Sequence, residues 1–265
     1  MARVICIANQ KGGVGKTTTA INLAASLAVM ERRTLLIDCD PQANATSGLG
    51  LRPEDLEADL YSVFYTPDKE RVHKAVIPTR GRYLDLLPAT IELVGVEVEL
   101  VNEMAREQYL QAVVRCLEPD YEFIIIDCPP SLGLLTINAL CAAKELLIPL
   151  QCEFFALEGI VKLYETFKRV RRKINPDLEI LGIVLTMYDA RNRLTRDVQQ
   201  DVENGMPEYL MQTIIPRNVR LSEAPSFGKS IIYHDIKSKG AAAYLKLAQE
   251  VISRTPGPHP VKTAV

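Results

Sequence analysis

Eight residues near the start of the chain, Lys11-Gly12-Gly13-Val14-Gly15-Lys16-Thr17-Thr18, bring together the groups needed to hold a polyphosphate. Glycines let the backbone turn several N–H groups toward one anion, and a helix opening directly behind them adds the partial positive charge of its N-terminus. Lys16 has the reach for β- and γ-phosphates, and the Thr17 hydroxyl is a hard oxygen ligand suited to Mg2+. The common phosphate-loop pattern, G-x-x-x-x-G-K-S/T, is not met in full, because Gln10 fills its first glycine slot. The chemistry survives that departure, since Gly12, Gly13 and Gly15 still supply the turning freedom.

Two further stretches end apolar runs with carboxylates. One is Ile37-Asp38-Cys39-Asp40-Pro41-Gln42, the other Ile124-Ile125-Ile126-Asp127-Cys128-Pro129-Pro130. In an open α/β sheet the carboxyl ends of the strands face the ligand crevice, so Asp38, Asp40 and Asp127 are expected to converge on the phosphates. A strand-end carboxylate also often pairs locally, and Asp38 is the one of the three for which that role competes most strongly.

The elements that must position these groups follow from periodicity. Residues 4–8 form a short continuous apolar run of the kind a buried parallel strand needs, and similar runs occur at 35–37, 123–126, 146–148, 180–185 and 213–215. Helical spacing is present at 17–30, 103–117, 134–143, 157–174, 194–203 and 240–254. The alternation predicts an α/β fold: one domain over 1–254, a mostly parallel twisted sheet with helices on both faces. Residues 51–88 read as an irregular, acidic surface insertion. The proline-rich stretch 255–265 cannot continue a helix and is expected to be a disordered tail.

Composition narrows the class. The 265 residues carry 31 Lys and Arg against 33 Asp and Glu, and 48% are apolar, enough to bury a full core. No apolar run reaches membrane-spanning length, and Met1-Ala2-Arg3 leads straight into a strand-like run without a secretory leader. The six scattered cysteines read as reduced thiols of a cytosolic protein. The near-neutral total hides an asymmetry: 52–127 is net −8, whereas 158–265 is net +5. An anionic partner at the C-terminal half is therefore compatible with the overall charge.

Lys11 is the informative extra group. A second lysine opening the loop resembles the deviant Walker A ATPases, whose signature is K-G-G-x-G-K-S/T. Over 38–50, 127–133, 151–159 and 215–226 the chain also looks like the ParA/Soj partition ATPases. That resemblance implies ATP and Mg2+ as nucleotide and metal. It implies a nucleotide site made of Lys11, Gly12, Gly13, Val14, Gly15, Lys16, Thr17 and Thr18, with Pro216 and Asn218 at the adenine. Thr17, Asp40 and Asp127 are the implied metal set, and Asp127 matches a Walker B aspartate. Asp40 is expected to direct the attacking water, beside the catalytic lysines Lys11 and Lys16, and Gln42 is expected to support the metal shell. The resemblance further implies a homodimer when ATP-bound, with Lys11 reaching the partner's phosphates and Gly12 at the interface. It implies non-specific double-stranded DNA binding through Arg191 and Arg220, a ParB/Spo0J-type stimulating partner, no membrane association, and a cytoplasmic, nucleoid-associated location.

Three other classes share parts of the pattern. A MinD-like membrane ATPase needs a basic amphipathic terminal helix, whereas residues 240–254 carry mainly Ala and Leu. An iron–sulfur ATPase needs bridging cysteines, and neither Cys116 nor Cys128 stands in matching surroundings. A metabolic ligase needs a second substrate pocket that no motif marks.

Overall fold

The computed structural model describes residues 2–153 and 156–254, the side chains of residues 156 and 157 excepted, so the expected tail at 255–265 lies outside the described residues. The chain opens with β1 (Arg3–Ile7), α1 (Lys16–Val29), β2 (Thr34–Asp38), α2 (Asn44–Gly48), α3 (Leu60–Phe64) and α4 (Lys69–Ala75). It continues through β3 (Ile77–Pro78), β4 (Leu84–Leu87), α5 (Gly95–Glu99), α6 (Tyr109–Leu117), β5 (Phe123–Asp127) and α7 (Leu134–Ala142). The remainder is β6 (Glu145–Gln151), α8 (Ala156–Lys173), β7 (Glu179–Thr186), α9 (Arg193–Gly205), α10 (Val219–Glu223), α11 (Ile231–His234) and α12 (Lys239–Ser253).

The strands form one sheet in the order β3-β4-β2-β5-β1-β6-β7, parallel throughout except where β3 runs against β4. Successive side chains of each strand enter opposite layers. Val4, Cys6, Ile124 and Ile126 pack with α6, α7 and α8 on one face, while Ile5, Ile7 and Ile125 pack with α1 and α12 on the other. Burial on both faces is why these strands read as unbroken apolar runs. Each such side chain taken out of water contributes about 1.5–3 kcal/mol before entropy is charged against it. In α12, Ala241, Tyr244, Leu247, Ala248 and Val251 are buried in this second layer, so its apolar face is committed to the core. No helix among the described residues is long and apolar enough to cross a membrane.

Three expectations need correction. Residues 51–88 are not merely an insertion, because β4 pairs in parallel with β2 along its whole length and extends the sheet. The helix expected over 103–117 begins only at Tyr109. Ala105 sits in the left-handed region at φ 54°, which breaks the helical path, and Asn138 Oδ1 accepts the Leu110 amide just inside the later start. The strand expected at 213–215 is not a regular one. Ile215 N does donate to Leu185 O at 2.8 Å, but the Gln212 and Thr213 amides turn instead to the Glu250 carboxylate of α12, at 2.7 and 2.8 Å. A carboxylate that takes two adjacent amides leaves β7 no ladder partner there.

Candidate nucleotide site

Register places the chemistry before any side chain is considered. Ile7 pairs with Asp127, and Asp127 with Asp38, so three neighbouring strands end at one level. The loop leaving β1 therefore rises between the ends of β5 and β6, beside the Asp127 carboxylate, with the chain leaving β2 on the far side of β5.

That loop is anchored from both sides. Buried Asn9 donates through Nδ2 to Pro149 O at 2.8 Å and accepts the Lys11 amide on Oδ1 at 3.1 Å. Thr186 Oγ1, at the end of β7, donates to Val14 O at 2.8 Å. Gly13 and Gly15 take φ of 76° and 85°, which a residue with a Cβ rarely adopts. Gly15 is the N-cap of α1 and offers no side chain to its first-turn amides, and no acidic residue stands in that turn. The first amides and the axial dipole of a 14-residue helix thus point into the cleft unspent.

Lys16 is buried and donates to Lys11 O at 2.9 Å across the loop. Burial lowers its pKa, while Asp127, Cys128 and Asp40 pull the other way. Lys16, Thr17, Thr18, Gly12, Gly13 and Asp40 line a cleft of about 390 Å3, on whose rim stands Lys229. A second, more apolar recess of about 250 Å3 lies alongside, with Pro216, Asn218 and Tyr244 in its wall; both share Gly15, Thr18 and Met187. A charged chamber continuous with an apolar slot suits a nucleotide: phosphates in one, base in the other.

The carboxylates divide their roles. Asp127 is fully buried, and neither of its oxygens has a hydrogen-bond partner. Burial and then the charge of Asp38 push it well above the usual carboxylate range; the nearby Thr17 hydroxyl and Lys16 oppose that without supplying a well-aligned hydrogen bond. Orphaned carboxylate oxygens beside a threonine hydroxyl and a phosphate chamber fit a divalent cation, which would take its other ligands from phosphate and water. Asp40 is buried at the same cleft, with Oδ1 accepting the Gln42 amide at 3.0 Å, while Gln42 itself is exposed. Asp38 is spent locally. It accepts from Thr46 N and Thr46 Oγ1, each at 2.8 Å, and from Asp40 N at 3.2 Å, so it braces the loop that carries Asp40. Burial raises its pKa to about 6 despite those bonds.

Lys11 does not point into its own chamber: its ammonium pairs with Glu153, which follows β6. Gly12 has room within the chain, since an added Cβ would meet only Pro130 Cβ, at 3.8 Å. Asn218 caps α10, accepting the Arg220 amide on Oδ1 at 2.8 Å, a bond that does not use its NH2. Arg191 and Arg220 lie outside the cleft on the surface. Arg191 pairs with Asp189, whose carboxyl it holds down at about 2, and Arg220 pairs with Glu223 and Asp235. The Tyr188–Pro216 bridge, with Arg217 N donating to Tyr188 O at 3.1 Å, sets the two arginine segments side by side. Sequence reasoning passed over Asn9, Thr186, Glu153, Arg217 and Lys229. The first three act through contacts with distant parts of the chain, Arg217 lies within the 215–226 stretch but takes no role from it, and Lys229 carries no motif.

Fold and cleft together define a P-loop nucleotide hydrolase with a second lysine in its phosphate loop. A family model described as an AAA domain matches residues 2–180. The chromosome partitioning protein ParA of Myxococcus xanthus is 54% identical over 256 residues, covering 96% of this chain and 89% of that one. The sporulation initiation inhibitor protein Soj of Bacillus subtilis is 50% identical over 251 residues, covering 95% and 98% respectively. Among solved structures, cobyrinic acid a,c-diamide synthase from Mycobacterium smegmatis with bound ADP and magnesium superposes with a TM-score of 0.83 at 37% identity, over 98% of this chain and all of that one. The chain belongs to the ParA/Soj family of chromosome-partitioning ATPases.

Proposed function

We propose that this ATPase is a DNA-partition switch: ATP and Mg2+ join two copies face to face, the pair holds double-stranded DNA without sequence preference, and hydrolysis releases it. The observation that carries the reading is the placement of Lys11, turned away from its own cleft to Glu153, while Lys16 and Lys229 line that cleft. A lysine that its own chamber does not use is available to a triphosphate presented by a second copy, where it acts as an arginine finger does. Gly12 supports the same reading. The chain itself has room for a Cβ there, so the glycine is not required by packing within one subunit.

Within one subunit the residues take ordered parts. The α1 amides and Lys16 bind and orient the phosphates. Thr17 and Asp127 would hold Mg2+, which supplies charge neutralisation at the phosphates when bound. Asp40 accepts a proton from, or orients, the attacking water at its carboxylate, with Asp38 and Thr46 fixing its loop. Pro216 and the Asn218 amide face the adenine from the apolar recess.

DNA would meet Arg191 and Arg220. Their surface ion pairs are worth little in water and exchange readily for bidentate phosphate contacts, and dimerisation doubles the patch. A ParB/Spo0J-type protein would stimulate hydrolysis, and the assembly would reside on the nucleoid in the cytoplasm. The test is a gel shift on unrelated DNA sequences with and without ATP, alongside sedimentation. A dimer and a shift that both require ATP support the reading; DNA binding by the nucleotide-free monomer at equal strength overturns it.

A further inference from the structure

Residues 91–102 form one continuous helical path, with 3-10 turns Ile91–Val94 and Leu100–Asn102 flanking α5. Its inner face is ordinary: Leu93, Val96 and Leu100 are buried in the core. Its outer face is not. Ile91, Val94, Val98 and Val101 recur at i, i+3, i+7 and i+10 on the exposed side, where a surface helix should be polar. Val98 is 71% exposed, and Met104, just beyond, 91%. Single exposed apolar residues are commonplace, but a contiguous stripe marks an interaction surface.

The charges around the stripe select its occupant. Glu92, Glu97, Glu99 and Glu103 are all exposed beside it, and no Lys or Arg occurs in 91–105; the first cation beyond, Arg106, donates to Val101 O at 2.6 Å and pairs with Glu107, so the border stays net acidic. Four carboxylates repel an anionic lipid surface and a DNA backbone. A second copy of the same stripe would set glutamates against glutamates across a two-fold axis. What complements both the apolar row and its acidic border is a helix with one apolar face and a lysine- or arginine-rich flank.

The stripe also borders the loop that follows Asp127. A Cβ added at Gly133 would collide with Glu97 Oε1, and Gly133 belongs to the segment that runs from Asp127 into α7. A partner pulling on Glu97 would thus act on the loop that follows the buried carboxylate.

We propose that the Ile91–Val101 stripe is the docking surface for a basic amphipathic helix of a partner protein. The docking does not rest on the partition reading; only its consequence for hydrolysis does. The probe is a fluorescent lysine–leucine amphipathic helix, with a scrambled peptide of equal charge and a glutamate-for-lysine peptide as controls, titrated against the whole chain. The wild type should bind the amphipathic basic peptide over both controls, and the Val98→Asp, Val101→Asp double variant should bind it about tenfold more weakly. Both positions are solvent-facing, so the variant should keep its nucleotide affinity, which is measured in parallel as the check on folding. Equal binding by variant and wild type, or equal binding of the scrambled peptide, overturns the proposal. So does loss of ATP-dependent dimerisation in the variant with peptide binding unchanged, which would assign the stripe to self-association. Failure of the peptide arm with ATP-dependent DNA binding intact would sink this inference and leave the partition reading standing.

Discussion

Lys11 and Glu153 close an ion pair across the mouth of the phosphate loop, joining the chain after β1 to the chain after β6. Gln151 Nε2 donates to the other Glu153 oxygen at 2.5 Å and holds that carboxylate toward the lysine. The pair is a third to a half exposed, which keeps it weak and exchangeable. In a single subunit Glu153 therefore competes for the lysine that a partner's phosphates would otherwise recruit.

Removing the competitor should favour association. Glu153→Gln is expected to lower the protein concentration needed for the ATP-bound dimer, by at most about 30-fold, since the dimer releases two exposed pairs each worth under about 1 kcal/mol. Sedimentation at saturating Mg-ATP reads the midpoint. A dimer that forms no more easily, or less easily, would show that Glu153 is not holding Lys11 back.

Asp40 separates binding from turnover. It lines the proposed phosphate cleft, in which Lys16 and the α1 amides would carry the phosphate contacts. Asp40→Ala should leave ATP affinity within about threefold and slow hydrolysis by about 10^2- to 10^4-fold, the usual worth of a positioned general base. Phosphate release beside equilibrium nucleotide binding separates the two. Near-normal turnover would remove Asp40 from the reaction.

How much of this was legible depends on whether a residue acts locally. The phosphate loop, Asp40 and Asp127 were readable because their chemistry sits in contiguous motifs at the ends of strands buried on both faces. Strand β4, Leu84-Asp85-Leu86-Leu87, was not: four residues with an acid among them, inside an acidic stretch, become a strand only through pairing with β2. Residues 213–215 look like a strand in isolation, and Glu250, 37 positions away from Thr213, takes the amides that a strand would have used. Glu153 and Thr186 face the same difficulty, since their partners Lys11 and Val14 lie 142 and 172 positions off.

Arg220 gives a charge-specific test of the DNA surface. Its side chain is 58% exposed and lies away from the nucleotide cleft, so Arg220→Glu should dimerise with ATP as the wild type does. Each phosphate contact adds about 0.9 to the slope of log affinity against log salt, so the dimer's slope should shrink by about two and binding should fail first as salt rises. Gel shifts over a salt series give the slope. Wild-type affinity with an unchanged slope would place the DNA surface elsewhere.

Asp38 supplies a pH test with a definite sign. Its pKa rises from 3.8 to about 6 in the fold, because burial outweighs the bonds from Thr46 and Asp40. Between those two values the folded protein holds a proton that the unfolded chain has released. Stability from this group is thus complete below pH 3.8 and is lost as pH climbs to about 6. The nucleotide-free wild type should lose melting temperature relative to Asp38→Asn across that window and run parallel to it above. A difference that is flat or rises with pH would contradict the assignment. Should the variant fold poorly, a fall in the wild type's infrared protonated-carboxyl band between pH 5 and pH 7 reads the same titration over any band that Asp127, whose pKa is pushed well up, retains, and no fall across that interval would count equally against it.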